Sequence, residues 1–373
     1  MPETNIPEPL RVGVVGLGFA GETHLKNYLL QPGVEAVALA GKEEDKLRLL
    51  GETYRVPNLY GNWEDLVARD DLDIVSVCTP NHLHAPIAIA ALESGKHVLC
   101  EKPLARSGAE AESIATAARN ARRVLQVAFN HRERGDVRVL KHYIENGDLG
   151  RVYHVKASWM RRRGIPGMGT WFTSKEMAGG GPLIDLGVHV LDLALYLLGE
   201  PEVYTVSAAT YAELGPAGRG GRTELSDLAK IPVGTAYEVE DLATAFMRLE
   251  GGATLLLEAS WAVHGSAGDD FGLTLYGTEG GAEVRVRNYN WEDTLRIFTD
   301  VAGVPAEVSP QLTRGEGHLA VVRDFLNTVR NGDPYGEHGQ EGLVRARLID
   351  ACYASALEGR EVSLSDQTEE QAV

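Results

Sequence analysis

The chain is short of cysteine, of basic residues and of uninterrupted apolar sequence, and each shortage excludes something. Cys78, Cys100 and Cys352 are its only 3 cysteines in 373 residues. An odd number without CxxC spacing argues against a disulfide framework and a zinc knuckle, and buried, reduced thiols are expected. Lys and Arg total 36 against 53 Asp and Glu, a formal charge of −17. A surface of that sign repels nucleic-acid phosphates and anionic lipid headgroups, so no nucleic acid and no membrane is expected as a partner. No run approaches the ~18 apolar residues of a membrane span. The opening MPETNIPEPLRVGVVG has no basic segment leading into an apolar signal core. A cytoplasmic protein is the expectation.

What is present exceeds one hydrophobic core. At 44% hydrophobic residues the chain has enough apolar sequence to fill two domains. From Arg11 to about Asn130, short apolar runs (RVGVVG, VEAVALA, DIVSVCT, HVLCE, VLQVAF) alternate with helix-like segments such as Ala85–Ser94, which closes on Gly95. Continuous apolar runs suit strands buried on both faces, so a βαβ array with a parallel sheet is expected. Beyond about Val152 the runs lengthen (VYHVKASWM, VYTVSAAT, DLATAFMRLE, ATLLLEASWA, FGLTLYGT, AEVRVR), and glycine turns at 250–253 and 278–281 read as hairpins. Helices are expected over 318–331 and 340–359. The expected fold is therefore α/β: a Rossmann domain over 1–130, and a second α/β domain with a large, open, mainly antiparallel sheet over 131–373. Gly215–Lys230 reads as a surface loop and the final SDQTEEQAV as a frayed tail.

The sequence Gly16-Leu17-Gly18-Phe19-Ala20-Gly21 follows the apolar Val12–Val15 directly and opens a helical segment, ETHLKNYLL. Strand, glycine turn and helix in that order is what dinucleotide binding needs. The first glycine permits the turn, the second lets backbone N–H groups approach a pyrophosphate, and the third allows close helix packing. About 20 residues further on, where an NAD enzyme places a carboxylate for the ribose, the chain has Gly41-Lys42. The missing carboxylate and the added positive charge point to NADP over NAD; the alternative is a solvated Lys42 with Glu43 or Glu44 on the ribose.

Further motifs follow in order: Thr79-Pro80-Asn81 with His84; Glu101-Lys102-Pro103; Gly179-Gly180-Gly181 leading to Asp185 and His189; and Val239-Glu240-Asp241. With the fingerprint, this set resembles the Gfo/Idh/MocA family of oxidoreductases over nearly the whole chain. The resemblance implies the two-domain architecture and a homodimer or homotetramer formed through the antiparallel sheet. It also implies oxidation or reduction of a sugar, inositol or related polyhydroxylated substrate at a secondary alcohol or carbonyl. It places Thr79, Pro80, Asn81, His84 and Glu101 near the cofactor.

Lys102 follows an apolar strand whose carboxyl end should border a ligand cleft. An ammonium there can support a substrate oxygen and the nicotinamide ribose; a surface pair with Glu101 is the alternative. Asp185 and His189, four apart in PLIDLGVHVLDLALYLLG, would share one helical face. His189 then serves as the acid/base and Asp185 as its partner or as a ligand of a substrate hydroxyl. A buried histidine satisfied by Asp185 or Asp192 is the competing view. Asn130, Arg132 and Trp171 are weaker substrate candidates; the Arg161–Arg163 run reads an anion or is merely solvated. His82-Leu83-His84 lacks a third ligand, so no metal is expected. Two rival functions remain: a nicotinamide-retaining glycoside hydrolase or eliminase without net redox change, and a non-catalytic nucleotide-binding regulator.

Overall fold

The computed structural model describes residues 9–221, 237–331 and 339–364. The SDQTEEQAV tail and most of the Gly215–Lys230 loop lie outside the described residues. Two compact units are formed. One comprises the chain up to Asn130 with Glu316–Val344, and the other His131–Gly315 with the chain from Arg345 onward.

In the first unit the strands β1 (Leu10–Val15), β2 (Val34–Ala40), β3 (Asn58–Tyr60), β4 (Ile74–Val77), β5 (His97–Cys100) and β6 (Leu125–Val127) form one sheet in the order β3-β2-β1-β4-β5-β6. All pairings are parallel, which is the Rossmann order. Helices α1 (Phe19–Leu29), α2 (Glu44–Tyr54), α3 (Trp63–Val67), α4 (His84–Glu93) and α5 (Gly108–Ala121) connect the strands. Every residue of β4 is buried, which is why that strand reads as a solid apolar run.

After its excursion through the second unit, the chain returns with α9 (His318–Asn331). Val321, Val322, Phe325 and Leu326 of α9 join the core containing Val12, Val14, Leu25 and Tyr28. Each fully buried side chain of this size contributes about 1.5–3 kcal/mol. The sequence assigned this helix to the second domain; its apolar face signals burial without naming the surface it packs on.

The second unit holds β7 (Val152–Arg161), β8 (Val203–Tyr211), β9 (Leu242–Leu249), β10 (Thr254–Ser260), β11 (Asp269–Gly277), β12 (Gly281–Arg287), β13 (Leu295–Val301), β14 (Val304–Val308) and β15 (Val362–Ser363). Their order is β14-β13-β12-β11-β7-β10-β9-β8-β15. Pairings are antiparallel except β7 with β10, so the sheet is mixed at its centre and antiparallel elsewhere. Burial alternates residue by residue, as in β9 where Ala243, Ala245, Met247 and Leu249 point inward.

Helix α6 (Gly135–Glu145) packs on β12, α7 (Lys175–Ala178) is a single turn, and α8 (Val188–Leu198) packs on β7, β10 and β11. Helix α10 (Gln340–Glu358) follows the return segment. The segment Lys175–Leu198 is long and apolar enough for a membrane span by composition, against the expectation that no run is. Within the fold, 83% of its apolar window is buried, so it is a core segment.

Candidate cofactor and catalytic sites

In the first unit, strand register lines the candidate residues up. Val15 pairs with Ala40 and Val77, Val77 with Cys100, and Cys100 with Val127. The residues that follow, Gly16, Gly41, Cys78, Glu101 and Ala128, therefore leave the sheet side by side at its carboxyl edge, where such sheets bind ligands.

The three fingerprint glycines have different physical reasons. Gly16 has φ +104°, and a side chain there would run into the Cys78 carbonyl. A side chain on Gly21 would run into the Gly16 carbonyl, so this glycine permits the close approach of α1 to the turn. A Cβ on Gly18 would meet no atom within 4 Å. That open cradle at the start of α1, where the first N–H groups lack intrahelical acceptors, fits a pyrophosphate. Phe19 is 81% exposed, and Ala20 is half-buried beside it. Gly41 packs on Leu17 so closely that a side chain would displace it, and Lys42 is exposed next to it.

Asn81 is buried in the loop after β4. The ring of His84 bridges two loops: Nδ1 lies 2.8 Å from the Pro103 carbonyl and Nε2 2.8 Å from that of Thr79. Burial pushes its pKa down, against the pull of the two carbonyls. The neutral ring carries one N–H, so it donates to one of the two carbonyls and packs against the other, between the Thr79-Pro80 segment and the Lys102-Pro103 turn. Glu101 is buried, and its Oε2 accepts the backbone N–H of Lys102 at 3.1 Å. Its Oε1 lies 3.1 Å from His24 Nε2 and 3.4 Å from His318 Nε2. Burial alone would raise the Glu101 pKa, but the two histidines hold it well below the ordinary carboxylate range. Lys102 is half-buried.

In the second unit, a single π-helical turn over Leu183–Gly187 precedes α8. Asp185 lies inside this turn and His189 in the first turn of α8. The wider π turn takes more residues per revolution than the α-helix, so four residues fall short of one full turn within it, which alters the simple shared-face spacing read from the sequence. Glu240 caps the turn, accepting the N–H groups of Gly181 and Leu183 at 2.9 and 3.0 Å and the Tyr353 hydroxyl at 2.9 Å. Side chains on Gly180 or Gly181 would strike the Tyr353 ring or the Glu240 carbonyl, which accounts for the glycine run. Asp185 Oδ2 accepts the Trp261 indole N–H at 2.9 Å. His189 is buried among aromatic rings, 4.7 Å from His131 and 5.3 Å from Trp159 between centroids.

Asp192 is committed elsewhere. Arg132 donates to it from Nε and Nη2 at 2.8 and 2.5 Å, and the buried Arg345 donates at 3.0 Å while also pairing with Glu200. The guanidinium of Arg132, expected to face substrate, is thus half of a buried ion pair. Trp171 stacks on Phe172 at 3.8 Å, and Asn130 is half-buried at the end of the first unit. Of the arginine run, Arg161 pairs with Asp269 at 2.8 Å and is buried, while Arg162 and Arg163 are exposed. Sequence reasoning missed His24, His318, His131, Trp159, Trp261 and Tyr353. They lie in no local motif, and only long-range packing brings them to these positions.

Comparison with known proteins identifies both units by family and fold. Residues 10–129 match the model of an oxidoreductase family with an NAD-binding Rossmann fold, and residues 137–283 match the GFO/IDH/MocA C-terminal domain. The D-glucoside 3-dehydrogenase of Escherichia coli (strain K12) is 32% identical over 95% of this chain and 98% of its own length. The myo-inositol 2-dehydrogenase of Thermotoga maritima is 28% identical over 96% and 99%. A levoglucosan dehydrogenase solved in complex with NADH superposes with a TM-score of 0.82 at 26% identity, covering 96% of this chain and 99% of its own.

Proposed function

The chain belongs to the GFO/IDH/MocA oxidoreductase family, and we propose that it interconverts a ring hydroxyl of a glucoside-like sugar and its ketone, with NADP as hydride carrier. Membership makes it a nicotinamide-dependent dehydrogenase of CH–OH groups, which sets aside the non-catalytic regulator. The 32% identity to a D-glucoside 3-dehydrogenase across nearly the full chain supports the substrate class.

A nicotinamide held by the Gly16–Gly21 turn would supply the acceptor for the hydride of the carbon that bears the hydroxyl. The proton must leave as well, and His189 is assigned to take it, since an imidazole exchanges protons near neutral pH. Asp185, held by Trp261, orients that histidine or a substrate hydroxyl. Lys102 stabilises charge on the reacting oxygen. The observation that carries the cofactor half of the reading is the row of loops at the carboxyl edge of the parallel sheet, with Gly18 open and Lys102 following β5.

Gly41 and Lys42 support NADP, because a glycine stands where NAD enzymes place a ribose-binding carboxylate and the adjacent ammonium attracts a 2′-phosphate. NAD is the second reading, favoured by the levoglucosan dehydrogenase solved with NADH. The outer face of the mixed sheet, with Leu256 and Phe246 half-buried and Tyr276 and Phe298 exposed, supports assembly into a homodimer or homotetramer, which light scattering of the purified chain checks. A panel of glucosides, free sugars and inositols assayed with each cofactor tests the function. Turnover of glucosides with NADP preferred is expected; turnover confined to acyclic alcohols, or glycoside cleavage without cofactor reduction, overturns it.

A further inference from the structure

We propose that His24 and His318 are positioning residues, which grip the Glu101 carboxylate from two sides and thereby hold the turn that presents Lys102. The inference rests on the role given to Lys102 above.

The three groups come from α1, the end of β5 and the start of α9. His24 is fully buried and Glu101 is 8% exposed. The Ser76 hydroxyl lies 2.7 Å from His24 Nδ1. Donation from that hydroxyl to Nδ1 places the imidazole proton on Nε2, which points at Glu101 Oε1 from 3.1 Å. His318 Nε2 approaches the same oxygen at 3.4 Å, and the rings of the two histidines lie 5.6 Å apart. Oε2 is left for the backbone N–H of Lys102. A buried carboxylate is costly unless its lone pairs are satisfied; here His24 and the Lys102 N–H hydrogen-bond to it and the His318 ring stands at ion-pair distance.

One of the two hydrogen-bond donors belongs to Lys102 itself, so fixing the carboxylate fixes the plane of the peptide from which the Lys102 side chain departs. His84 holds the other side of the same turn through the Pro103 carbonyl. His318 carries the clamp across the chain: the helix that completes the Rossmann core also supplies a donor to the turn.

These side chains are also a two-imidazole, one-carboxylate donor set of the kind transition metals take. The hydrogen-bonded arrangement is the one proposed: it requires the His24 proton on Nε2, whereas a metal would require Nε2 bare and Nδ1–H donating to Ser76.

The test uses the full chain with His318→Ala and His318→Gln. Acylation of Lys102 by an amine reagent, followed by peptide mass spectrometry with Lys42 as internal control, reads the turn without any substrate. Steady-state kinetics on the sugar identified by the panel read its consequence. In His318→Ala, Lys102 labelling should change about threefold or more with Lys42 unaffected. The kcat should fall about tenfold with KM for the cofactor nearly constant, and His318→Gln, which retains an N–H donor, should recover most of both. Labelling and kcat that stay at the wild-type values overturn the proposal, as does a Gln variant no better than Ala. Stoichiometric zinc binding to the wild-type chain, lost in His318→Ala, overturns it in favour of a metal site. Altered labelling with unchanged kcat upholds the clamp and removes the role given to Lys102. Should His318→Ala fail to fold, Glu101→Gln is read by the same two measurements.

Discussion

Trp261 donates its indole N–H to the carboxylate of Asp185 at 2.9 Å, from a ring with no exposed surface. In so enclosed a place the bond fixes the carboxylate. Trp261→Phe keeps most of the ring volume and removes the donor, at a cost of about 1–3 kcal/mol to the group left short of a partner. The expected result is a roughly tenfold or greater fall in kcat/KM for the sugar, with cofactor affinity, measured by fluorescence titration, little changed. Wild-type kcat/KM in this variant would separate Asp185 from the reaction.

Arg132 offers a contrast, because its guanidinium is spent on Asp192 rather than held out for a ligand. Removing Arg132 leaves the buried Asp192 with Arg345 as its remaining cationic partner, a loss of about 1–3 kcal/mol for the charge-assisted hydrogen bonds. Arg132→Ala should therefore show a large drop in urea midpoint. A substrate-binding arginine would instead leave stability intact and raise KM for the sugar.

The fingerprint glycines should separate cleanly. Gly16→Ala and Gly21→Ala place a methyl against a backbone carbonyl and should lower the melting temperature. Gly18→Ala meets no protein atom, so it should melt like the wild type and yet bind the cofactor roughly tenfold or more weakly, because its methyl enters the space of the pyrophosphate. Calorimetry and cofactor titration on the three variants check this.

One histidine away from these sites should shape acid stability. His97 Nδ1 accepts the N–H of Val124 at 3.0 Å, and burial, aided by Arg123, pushes its pKa down to about 4. A depressed histidine favours the neutral form in the fold. Its contribution to stability is complete above the unfolded value of about 6.5 and is lost as pH falls toward 4. His97→Gln keeps an acceptor without the titration. Its unfolding free energy, followed from pH 7 to pH 4, should decline less than that of the wild type.

The parallel and the mainly antiparallel sheet, and most strands, were legible because buried parallel strands and alternating antiparallel ones leave different apolar periods. Helices α9 and α10 were also anticipated within a residue or two of their observed limits. The partner of α9 was not, since amphipathicity says that a face is buried and not against what. The same holds at the sites. Local motifs singled out Lys102, Asp185 and His189 as candidates, but Trp261, His24 and His318 reach the neighbourhood of Asp185 and Glu101 only through tertiary packing. The π-helical turn at Asp185 was hidden because its sequence carries an ordinary helical pattern, and the cap from Glu240 comes from a distant segment.

The most direct test of hydride transfer by this chain is a paired measurement on the purified protein: reduced nicotinamide by absorbance and sugar product by mass spectrometry, with an alkyl glucoside and either NADP or NAD. Formation of one keto sugar, lighter by two hydrogen atoms, for each nicotinamide reduced, abolished in both Lys102→Ala and His189→Ala, is the predicted result. Release of the aglycone with the nicotinamide unchanged, or wild-type turnover in both variants, would contradict it.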